Sequence, residues 1–112
     1  MSLAGNSTSI KSLHPELQRG LQMLFRVAPQ LGATVRVTSA RRSRSQQVAL
    51  YKNFLSGRSK YPVAVPGTSA HERGLAADLV VTPRSAQAAL GAWWRSIGGT
   101  WSPKDDIHFE LR

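Results

Sequence analysis

The sequence predicts a compact α+β domain in which about three helices pack against a small sheet. Apolar residues recur at helical spacing in three segments, and short segments of strand-like pattern lie between them. A chain of 112 residues is long enough for one domain with its own core and too short for two. The predicted order is helix, strand, helix, loop, strand, helix, strand. A doubly wound sheet would need more strands.

The first half of the chain predicts a helix, a strand and a second helix. Pro15 favours a helix start, and leucines at helical spacing extend this helix over 14–30. The segment TVRVTS (34–39) alternates β-branched with other residues and is typical of a short strand. Ser43 or Ser45 could cap the second helix. The predicted apolar face of that helix comprises Val48, Tyr51 and Leu55.

The second half begins with a loop over 56–74 that is rich in glycine and proline. Long loops inside compact domains are commonly functional. The apolar segment LAADLVV (75–81) predicts a strand, and a final strand is expected over 107–111. Between them, Thr82-Pro83 signals the third helix. Its apolar stripe comprises Ala86, Leu90, Trp93 and Ile97. We therefore expect Trp93 in the core, whereas Trp94 or Trp101 could wall a cleft.

The composition excludes several classes of site and partner. The chain has no cysteine, which excludes disulfides and thiolate ligands, so any metal must be held by nitrogen and oxygen atoms. A net charge of +9 and a pI of about 11.4 predict attraction to nucleic acid, an anionic membrane surface or an anionic bacterial cell wall. The basic residues are dispersed without a nucleic-acid-binding signature, so no specific nucleic acid is expected. No apolar run approaches ~20 residues, so no membrane span is expected.

The start of the chain is small and polar, and we expect a flexible arm over residues 1–11 before a folded domain over 12–112. The arm lacks the charged and then apolar pattern of a signal peptide. If the protein acts outside the cytoplasm, we expect something else to carry or release it.

Acidic residues are concentrated in two segments, SAHERGLAAD (69–78) and DDIHFE (105–110). The chain has six Asp and Glu in all, and five of them lie in these segments. The five are Glu72, Asp78, Asp105, Asp106 and Glu110. A protein that uses acids for solubility would scatter them.

The same segments hold two histidines, and with Asp78 they form the inventory of a hydrolytic zinc site. In such a site, His71, Asp78 and His108 would be three ligands that leave a fourth position open for water. Alternation along 75–81 places Asp78 on the face opposite the most apolar residues, where burial would require a cation or several donors. Gly74 allows a tight turn that could bring His71 back over Asp78.

Asp105 and His108 are an odd number of residues apart, so the regular alternation of side chains along a strand would place them on opposite faces. We expect Asp105 in the turn before the final strand, near the metal-bound water without binding the metal. Glu72 is expected to pair with an arginine, and Glu110 to orient an imidazole.

The alternative for each histidine is an ordinary residue on the surface or at the edge of the core. For any single histidine this is the better interpretation. Two histidines and two aspartates beside two strands, in a chain so poor in acids, favour the metal site.

Three segments resemble one family of enzymes. SAHERGLAADL resembles the S-x-H-x-x-G-x-A-x-D segment of zinc D-alanyl-D-alanine carboxypeptidases and dipeptidases, a family that includes L-alanyl-D-glutamate endopeptidases used by bacteriophages as endolysins. VTSARRSRSQQVALY resembles the family's T-S-G-x-R-S segment and the glutamine-bearing helix after it. GGTWSPKDDIHFEL is similar to the G-G-x-W…D-x-x-H-F-E ending of the endopeptidase branch. These segments run in the family's order and cover most of residues 34–111. The resemblance implies a Hedgehog/D-Ala-D-Ala peptidase-like fold with a mainly antiparallel sheet.

The resemblance also implies a role for each matching residue. The zinc ligands would be His71, Asp78 and His108, and the catalytic base would be Asp105. Arg42 would contact the substrate carbonyl or a carboxylate, Ser69 would hydrogen-bond substrate, and Gln47 would join the substrate-binding residues. Ala40-Arg41 replaces the family's Gly-aromatic pair, which leaves open whether Arg41 or Arg42 points into the cleft.

The implied function is a zinc-dependent peptidoglycan peptidase that cleaves stem peptides of the bacterial cell wall. The GG-x-W ending favours an L-alanyl-D-glutamate endopeptidase over a D-alanyl-D-alanine carboxypeptidase. Because imidazole ligands bind zinc only when neutral, activity should be lost below about pH 6. We expect a monomer unless the chain belongs to a virion assembly, acting on the wall after release by lysis or on a phage particle.

Two other classes of protein are alternatives to the enzyme. A non-catalytic wall-binding or virion structural module predicts a decayed site, yet every residue needed for hydrolysis is present. A basic nucleic-acid-binding protein predicts clustered bases and leaves the acidic segments unexplained.

Overall fold

The structure is a computed structural model that describes residues 10–59 and 63–111. Most of the predicted N-terminal arm, residues 1–9, lies outside the described residues, and the rest of it belongs to a 3-10 turn over Ile10–Ser12. Within the described ranges, no helix has the length and apolar character that crossing a membrane requires.

Three helices and four strands form one α+β unit, which confirms the predicted fold class. The helices are α1 (Pro15–Val27), α2 (Arg44–Leu55) and α3 (Gln87–Ser96). The strands are β1 (Thr34–Ser39), β2 (Ala76–Thr82), β3 (Thr100–Ser102) and β4 (Asp105–Glu110). All neighbouring strands are antiparallel, and their order in the sheet is β1-β2-β4-β3.

The register of the sheet aligns three polar residues across its centre. Ser39 of β1 pairs with Asp78 of β2, and Asp78 pairs in turn with His108 of β4. A register shift between Val37 and Ser39 interrupts regular pairing in β1 just before this row. The sheet therefore brings residues 39, 78 and 108 to neighbouring positions although they are far apart in sequence.

One cluster of buried apolar residues joins α1, α3 and the sheet. Helix α1 contributes the predicted leucine stripe, Leu17, Leu21 and Leu24, all fully buried. On β2, the buried Leu79 and Val81 belong to this core, as the alternation predicted. Burying a leucine or valine side chain stabilises the fold by ~1.5–3 kcal/mol, so this cluster fixes the sheet that carries the polar row.

Helix α2 begins at the predicted cap but buries a different face. Ser43 accepts a hydrogen bond from the backbone of Gln46, whose side chain accepts from the backbone of Ser43, so the two form a capping box. The predicted apolar face is wrong, because Leu55 is 66% exposed and the buried residue of this helix is Gln47. No residue of α2 joins the core cluster, since this helix packs on the loop before His71.

The stripe predicted for the third helix is buried at Ala86 and Leu90 and is wrong beyond them. Trp94 and Trp101 are buried in the core, whereas Trp93 is partly buried at its margin and Ile97 is exposed. Neither Trp94 nor Trp101 lines the cleft that His71, Asp78 and His108 share, so the expectation that one of them would wall it is wrong. Trp93 and Trp94 both lie at helical spacing from Leu90, three and four residues further on, so the spacing alone does not decide which of them is buried.

The end of the chain forms a hairpin that the sequence did not predict. Strand β3 has only three residues, too few for an alternating pattern, and β4 starts two residues earlier than expected. Asp105 therefore lies in the strand, where it pairs with Ser102, and not in the preceding turn. A register shift between Thr100 and Ser102 breaks the regular pleating on which the predicted placement of Asp105 depended.

Candidate metal centre

The residues predicted to bind metal come together from a 3-10 turn and two strands. His71 lies in the turn Ala70–Arg73, which Ser69 caps by accepting a hydrogen bond from the His71 backbone at 3.2 Å. Gly74 ends the turn with φ 72, a left-handed conformation that a side chain would disfavour. This is the tight turn that the sequence predicted, and it brings the chain back into β2.

Three ligand atoms converge at the polar row of the sheet. The His71 Nε2 lies 3.2 Å from the Asp78 Oδ1 and 3.3 Å from the His108 Nδ1. The third distance, from the His108 Nδ1 to the Asp78 Oδ1, is 3.6 Å. His71 and Asp78 are buried, and His108 is partly exposed at the cleft.

The outer edge of each imidazole fixes which nitrogen faces this centre. The His71 Nδ1 lies 2.7 Å from the carbonyl oxygen of Ala40, which can only accept, so this nitrogen carries a proton. The His108 Nε2 lies 2.8 Å from a carboxylate oxygen of Glu110 and carries a proton for the same reason. In the neutral rings, the two inward nitrogens therefore present lone pairs.

Two lone pairs and a carboxylate oxygen that face one another are held together best by a cation. Tetrahedral zinc with ligand bonds of about 2.1 Å separates neighbouring ligand atoms by about 3.4 Å. The three separations of 3.2, 3.3 and 3.6 Å match that value closely. Two imidazoles and one carboxylate are also a donor set that zinc accepts, so the residues present fit the metal.

In the metal-free protein, the protons on the imidazoles and the guanidinium of Arg42 supply the positive charge next to Asp78. Burial alone would raise the pKa of Asp78, but hydrogen bonds from His108 and His71 and the charge of Arg42 hold it well below its usual value. Burial alone would lower the pKa of His108, but its hydrogen bonds to Asp78 and Glu110 raise it to about 8. Both shifts show a site built to surround positive charge.

A cleft of about 530 Å³ opens over this centre, and Asp105 lines it together with the three ligand candidates. Burial raises the pKa of Asp105; the charge of His108 opposes this, and the charge of Asp78 adds to it. A carboxylate with a raised pKa that lines a cleft is suited to accept a proton and release it again. Asp105 lies outside the ligand triangle, and among the described residues it forms no ion pair with the site.

The structure distinguishes the two neighbouring arginines. Arg42 lines the cleft, whereas Arg41 is exposed outside it. The guanidinium of Arg42 donates to Asp78 at 2.8 Å, to Gln47 at 3.1 Å and to Ser39 at 3.0 Å. Arginine has five N–H groups, so two remain free to face the cleft.

Gln47 does not line the cleft, which differs from the substrate contact expected for it. Its side chain is fully buried and uses both of its polar atoms. The Oε1 accepts from Arg42, and the Nε2 donates to the carbonyl of Ala64 at 2.9 Å. Gln47 therefore orients Arg42 and ties α2 to the loop that forms the cleft wall.

Ser69 is buried and lines the cleft, where its hydroxyl oxygen accepts from the His71 backbone. Its own hydroxyl proton stays available to a substrate. The remaining acids pair as expected or with a nearby arginine. Glu72 binds Arg44 at 2.8 Å, and Asp106 binds Arg84 at 3.0 Å.

Two contacts of the site were not among those predicted. The carbonyl that holds His71 belongs to Ala40, and backbone groups leave no signal in residue type. Ser39, which accepts from Arg42, does lie in the T-S segment that resembles the family, and that position was the available signal.

The family profile described as VanY, D-alanyl-D-alanine carboxypeptidase, matches residues 10–100 of the chain. The matched range contains Arg42, Ser69, His71 and Asp78, and it ends before Asp105 and His108. A search of curated proteins found no match.

Solved structures of peptidoglycan peptidases share the fold. The vancomycin resistance D,D-pentapeptidase VanY from a VanB-type resistance cassette, a mutant in complex with Zn(II), is 24% identical, with a TM-score of 0.67 over 88% of this chain and 72% of that one. VanYB in complex with D-Alanine-D-Alanine is 21% identical, with a TM-score of 0.68 over 99% and 75% of the two chains. The Serratia marcescens L-Ala D-Glu endopeptidase ChiX is 22% identical and has a TM-score of 0.64. The match covers 100% of this chain and 90% of that one.

At these identities the structural likeness establishes the fold, while the profile covers most of the chain and establishes the family. The fold class and the family predicted from the sequence are both confirmed. This chain belongs to the VanY family of D-alanyl-D-alanine carboxypeptidases, whose members are peptidases that act on peptidoglycan.

Proposed function

We propose that this chain is a zinc-dependent peptidase that hydrolyses stem peptides of peptidoglycan, with His71, Asp78 and His108 as the zinc ligands. The observation that carries this proposal is the triangle of inward-facing acceptor atoms with zinc-like separations. The Zn(II) in a VanY structure of the same fold is consistent with it. When bound, zinc polarises the carbonyl and lowers the pKa of water toward ~7, which makes a nucleophile available at neutral pH.

Asp105 acts as the general base and then as the general acid. It takes the proton from the attacking water and delivers it to the leaving amine as the peptide bond breaks. Its place in the cleft and its raised pKa support this role. The pKa of Asp78 is lowered, so that carboxylate stays ionised as a ligand while Asp105 exchanges the proton.

Arg42 stabilises the negative charge that develops on the carbonyl oxygen during attack. Three hydrogen bonds hold its guanidinium in place before the substrate arrives, so no reorganisation is needed at the moment of reaction. Ser69 donates its hydroxyl proton to the peptide and aligns it in the cleft.

For the bond that is cleaved, we propose the one between L-Ala and D-Glu, because GGTWSPKDDIHFEL is similar to the ending of the endopeptidase branch. In the structure this segment acts through the core: Trp101 is buried and donates to the carbonyl of Asp106 at 2.8 Å, which anchors the hairpin carrying Asp105. Removal of terminal D-Ala is the second candidate, and the family profile favours it.

Digestion of purified peptidoglycan, with and without a chelator, tests the proposal. We expect digestion products only from the metal-loaded protein, and their masses should correspond to cleavage after L-Ala. Loss of a terminal D-Ala instead would establish the carboxypeptidase. No hydrolysis by zinc-loaded protein would support the non-catalytic wall-binding or virion module and overturn the proposal.

The base assignment has a matched control in the adjacent residue. Asp105→Asn should retain zinc and lose turnover by about 10²–10⁴-fold, the usual contribution of a general base. Asp106→Asn makes the same change at a residue that pairs with Arg84, and it should keep most of the activity. Normal turnover by Asp105→Asn would show that another group moves the proton.

We further propose that the protein acts at the bacterial cell wall, where its net charge of +9 favours association with anionic polymers. Service as a phage lysin is part of this proposal. Lysis of intact cells by protein added from outside, with and without membrane permeabilisation, would test the route to the wall.

A further inference from the structure

Arg73 places a positive charge at the cleft that no described residue neutralises. Its side chain is exposed and lines the same cleft as His71 and Asp105. Arg42, Arg44 and Arg84 each pair with a carboxylate within 3.0 Å. Within residues 10–59 and 63–111, the side chain of Arg73 has no such pair and no hydrogen bond.

The backbone of Arg73 is fixed relative to the metal centre. It lies in the same 3-10 turn as His71, two residues further on, so the two are separated by about 4 Å along the turn. Gly74 closes the turn through its backbone N–H, and its carbonyl accepts from the backbone of His14 at 2.9 Å. Only the side chain of Arg73 is therefore free to move toward a ligand.

The surroundings strengthen the field of this charge. Apolar residues, among them Leu50, Val63 and Ile107, form part of the cleft wall, and walls of low dielectric focus the field of a charge on the space between them. Arg42 is the other arginine in the lining, but its charge is balanced by Asp78 at 2.8 Å. Asp105 also lines the cleft as a carboxylate, but no ion pair joins it to Arg73. Among the described residues the guanidinium of Arg73 is thus unpaired, and it is a binding element for an anion.

We propose that Arg73 is a specificity-determining residue that binds a carboxylate of the substrate close to the scissile bond. The proposal rests on the proposed function of the cleft. A guanidinium matches a carboxylate with two parallel hydrogen bonds, which an ammonium cannot form. Because an extended residue spans about 3.5 Å, the carboxylate belongs to one of the first residues next to the scissile bond.

Two carboxylates of a stem peptide have this chemistry. One is the C-terminal carboxylate of a D-Ala-D-Ala ending, which lies beside the bond that a carboxypeptidase cleaves. The other is the free α-carboxylate of the γ-linked D-Glu, which lies beside the bond that an endopeptidase cleaves. Amidating each in turn distinguishes them.

The test is calorimetric binding of the pentapeptide L-Ala-γ-D-Glu-L-Lys-D-Ala-D-Ala to zinc-loaded Asp105→Asn protein, which does not consume it. The peptide is used with both carboxylates free, with the C-terminal amide, and with the α-amide of D-Glu. We expect one of the two amides to bind about tenfold more weakly, as for loss of a charge-assisted hydrogen bond. In the Asp105→Asn/Arg73→Gln protein, the amide that bound more weakly and the peptide with both carboxylates free should bind with equal affinity.

Arg95→Gln is the matched control, because it removes the same charge from an exposed position of α3 outside the cleft. It should keep the tenfold difference, and Arg73→Lys should keep only part of it. Equal binding of all three peptides, or an unchanged difference in the Arg73→Gln protein, would overturn the proposal. Hydrolysis by protein with Asp105 intact is measured separately: its absence refutes the proposed function, even where a carboxylate still binds through Arg73.

Discussion

The imidazoles of the site are held from behind, and this determines what they can bind. Ala40 accepts from one ring and Glu110 from the other, so each ring is locked in the tautomer that turns a lone pair inward. The carboxylate of Asp78 cannot rotate freely either, because Arg42 holds its second oxygen at 2.8 Å. The donor atoms are thus arranged before any metal arrives.

Replacing Glu110 with glutamine should weaken zinc binding. The substitution keeps the shape of the side chain but removes the charge that supports His108, and losses of about tenfold are typical for such partners of a ligand. Competition with a chelator measures the affinity. Glu16→Gln on α1, outside the cleft, should leave it unchanged. An affinity equal to that of the original protein would mean that Glu110 does not support the ligand.

The affinity for zinc should fall as the pH falls below about 8. The pKa of His108 is raised to about 8 in the metal-free protein, so its proton stabilises that form below pH 6.5, and this contribution is lost as the pH rises through about 8. Zinc requires the neutral ring, and a single competing proton lowers the affinity about tenfold per pH unit. The pKa of Asp78 is lowered, so its carboxylate stays charged throughout. Chelator competition from pH 6 to 9 measures the slope; a constant affinity between pH 6 and 8 would contradict it.

Elements with a clear period were predicted well. Strand β1 was placed at its observed bounds, and β2 differs by one residue at each end. In β1 the alternation of β-branched residues marks the strand, whereas β2 is buried on both faces over residues 76–79 and its signal is a short apolar run. Strand β3 is too short for a pattern, and in α3 both Trp93 and Trp94 lie at helical spacing from Leu90, so the spacing cannot choose between them. The tryptophans were therefore assigned to the wrong faces.

Close packing between α3 and the β3–β4 hairpin leads to a prediction at Gly91. An alanine there would gain about 1 kcal/mol of helix propensity, yet its Cβ would overlap the indole of Trp101. That ring is held by its hydrogen bond to Asp106, so it cannot turn aside without loss. Overpacking of this severity costs ~3 kcal/mol, which leaves a net loss of about 2 kcal/mol in the free energy of unfolding.

Urea denaturation of the Gly91→Ala protein checks this value. Gly20→Ala is the matched comparison, because its Cβ would meet only the rim of the Trp94 ring, at 2.9 Å, and the loss should be smaller. A Gly91→Ala protein as stable as the original would show that close contact between Gly91 and Trp101 does not hold the hairpin against α3.

At the scale of the whole molecule, contacts of the site that side chains make could be predicted from the sequence, whereas contacts that the backbone makes could not. His71, Asp78 and His108 were identified by residue type, and the turn at 70–73 together with the sheet brings them into one triangle. Gln47 was placed in the substrate site because a motif names residue types and not directions, whereas burial turns its amide toward Arg42 and Ala64. The contact from Ala40 follows from the path of the chain after β1, which no residue pattern encodes.

The net charge of +9 predicts salt-dependent action on intact walls. Screening shortens from about 10 Å at 0.1 M salt to about 3 Å at 1 M, so attraction to an anionic polymer weakens while contacts inside the cleft change less. We expect hydrolysis of intact sacculi to fall several-fold over this range, and hydrolysis of a soluble stem peptide to change much less. If both rates fell in parallel, general attraction to the wall would not be the reason.

The central claim is that one cation is held by two imidazoles and one carboxylate from the turn at 70–73 and strands β2 and β4. Anomalous diffraction at the zinc absorption edge, from crystals of the full chain grown with zinc, tests it directly. We predict a single peak about 2.1 Å from the Nε2 of His71, the Nδ1 of His108 and the Oδ1 of Asp78. A peak elsewhere, or none at this position in crystals that contain zinc, would contradict the account.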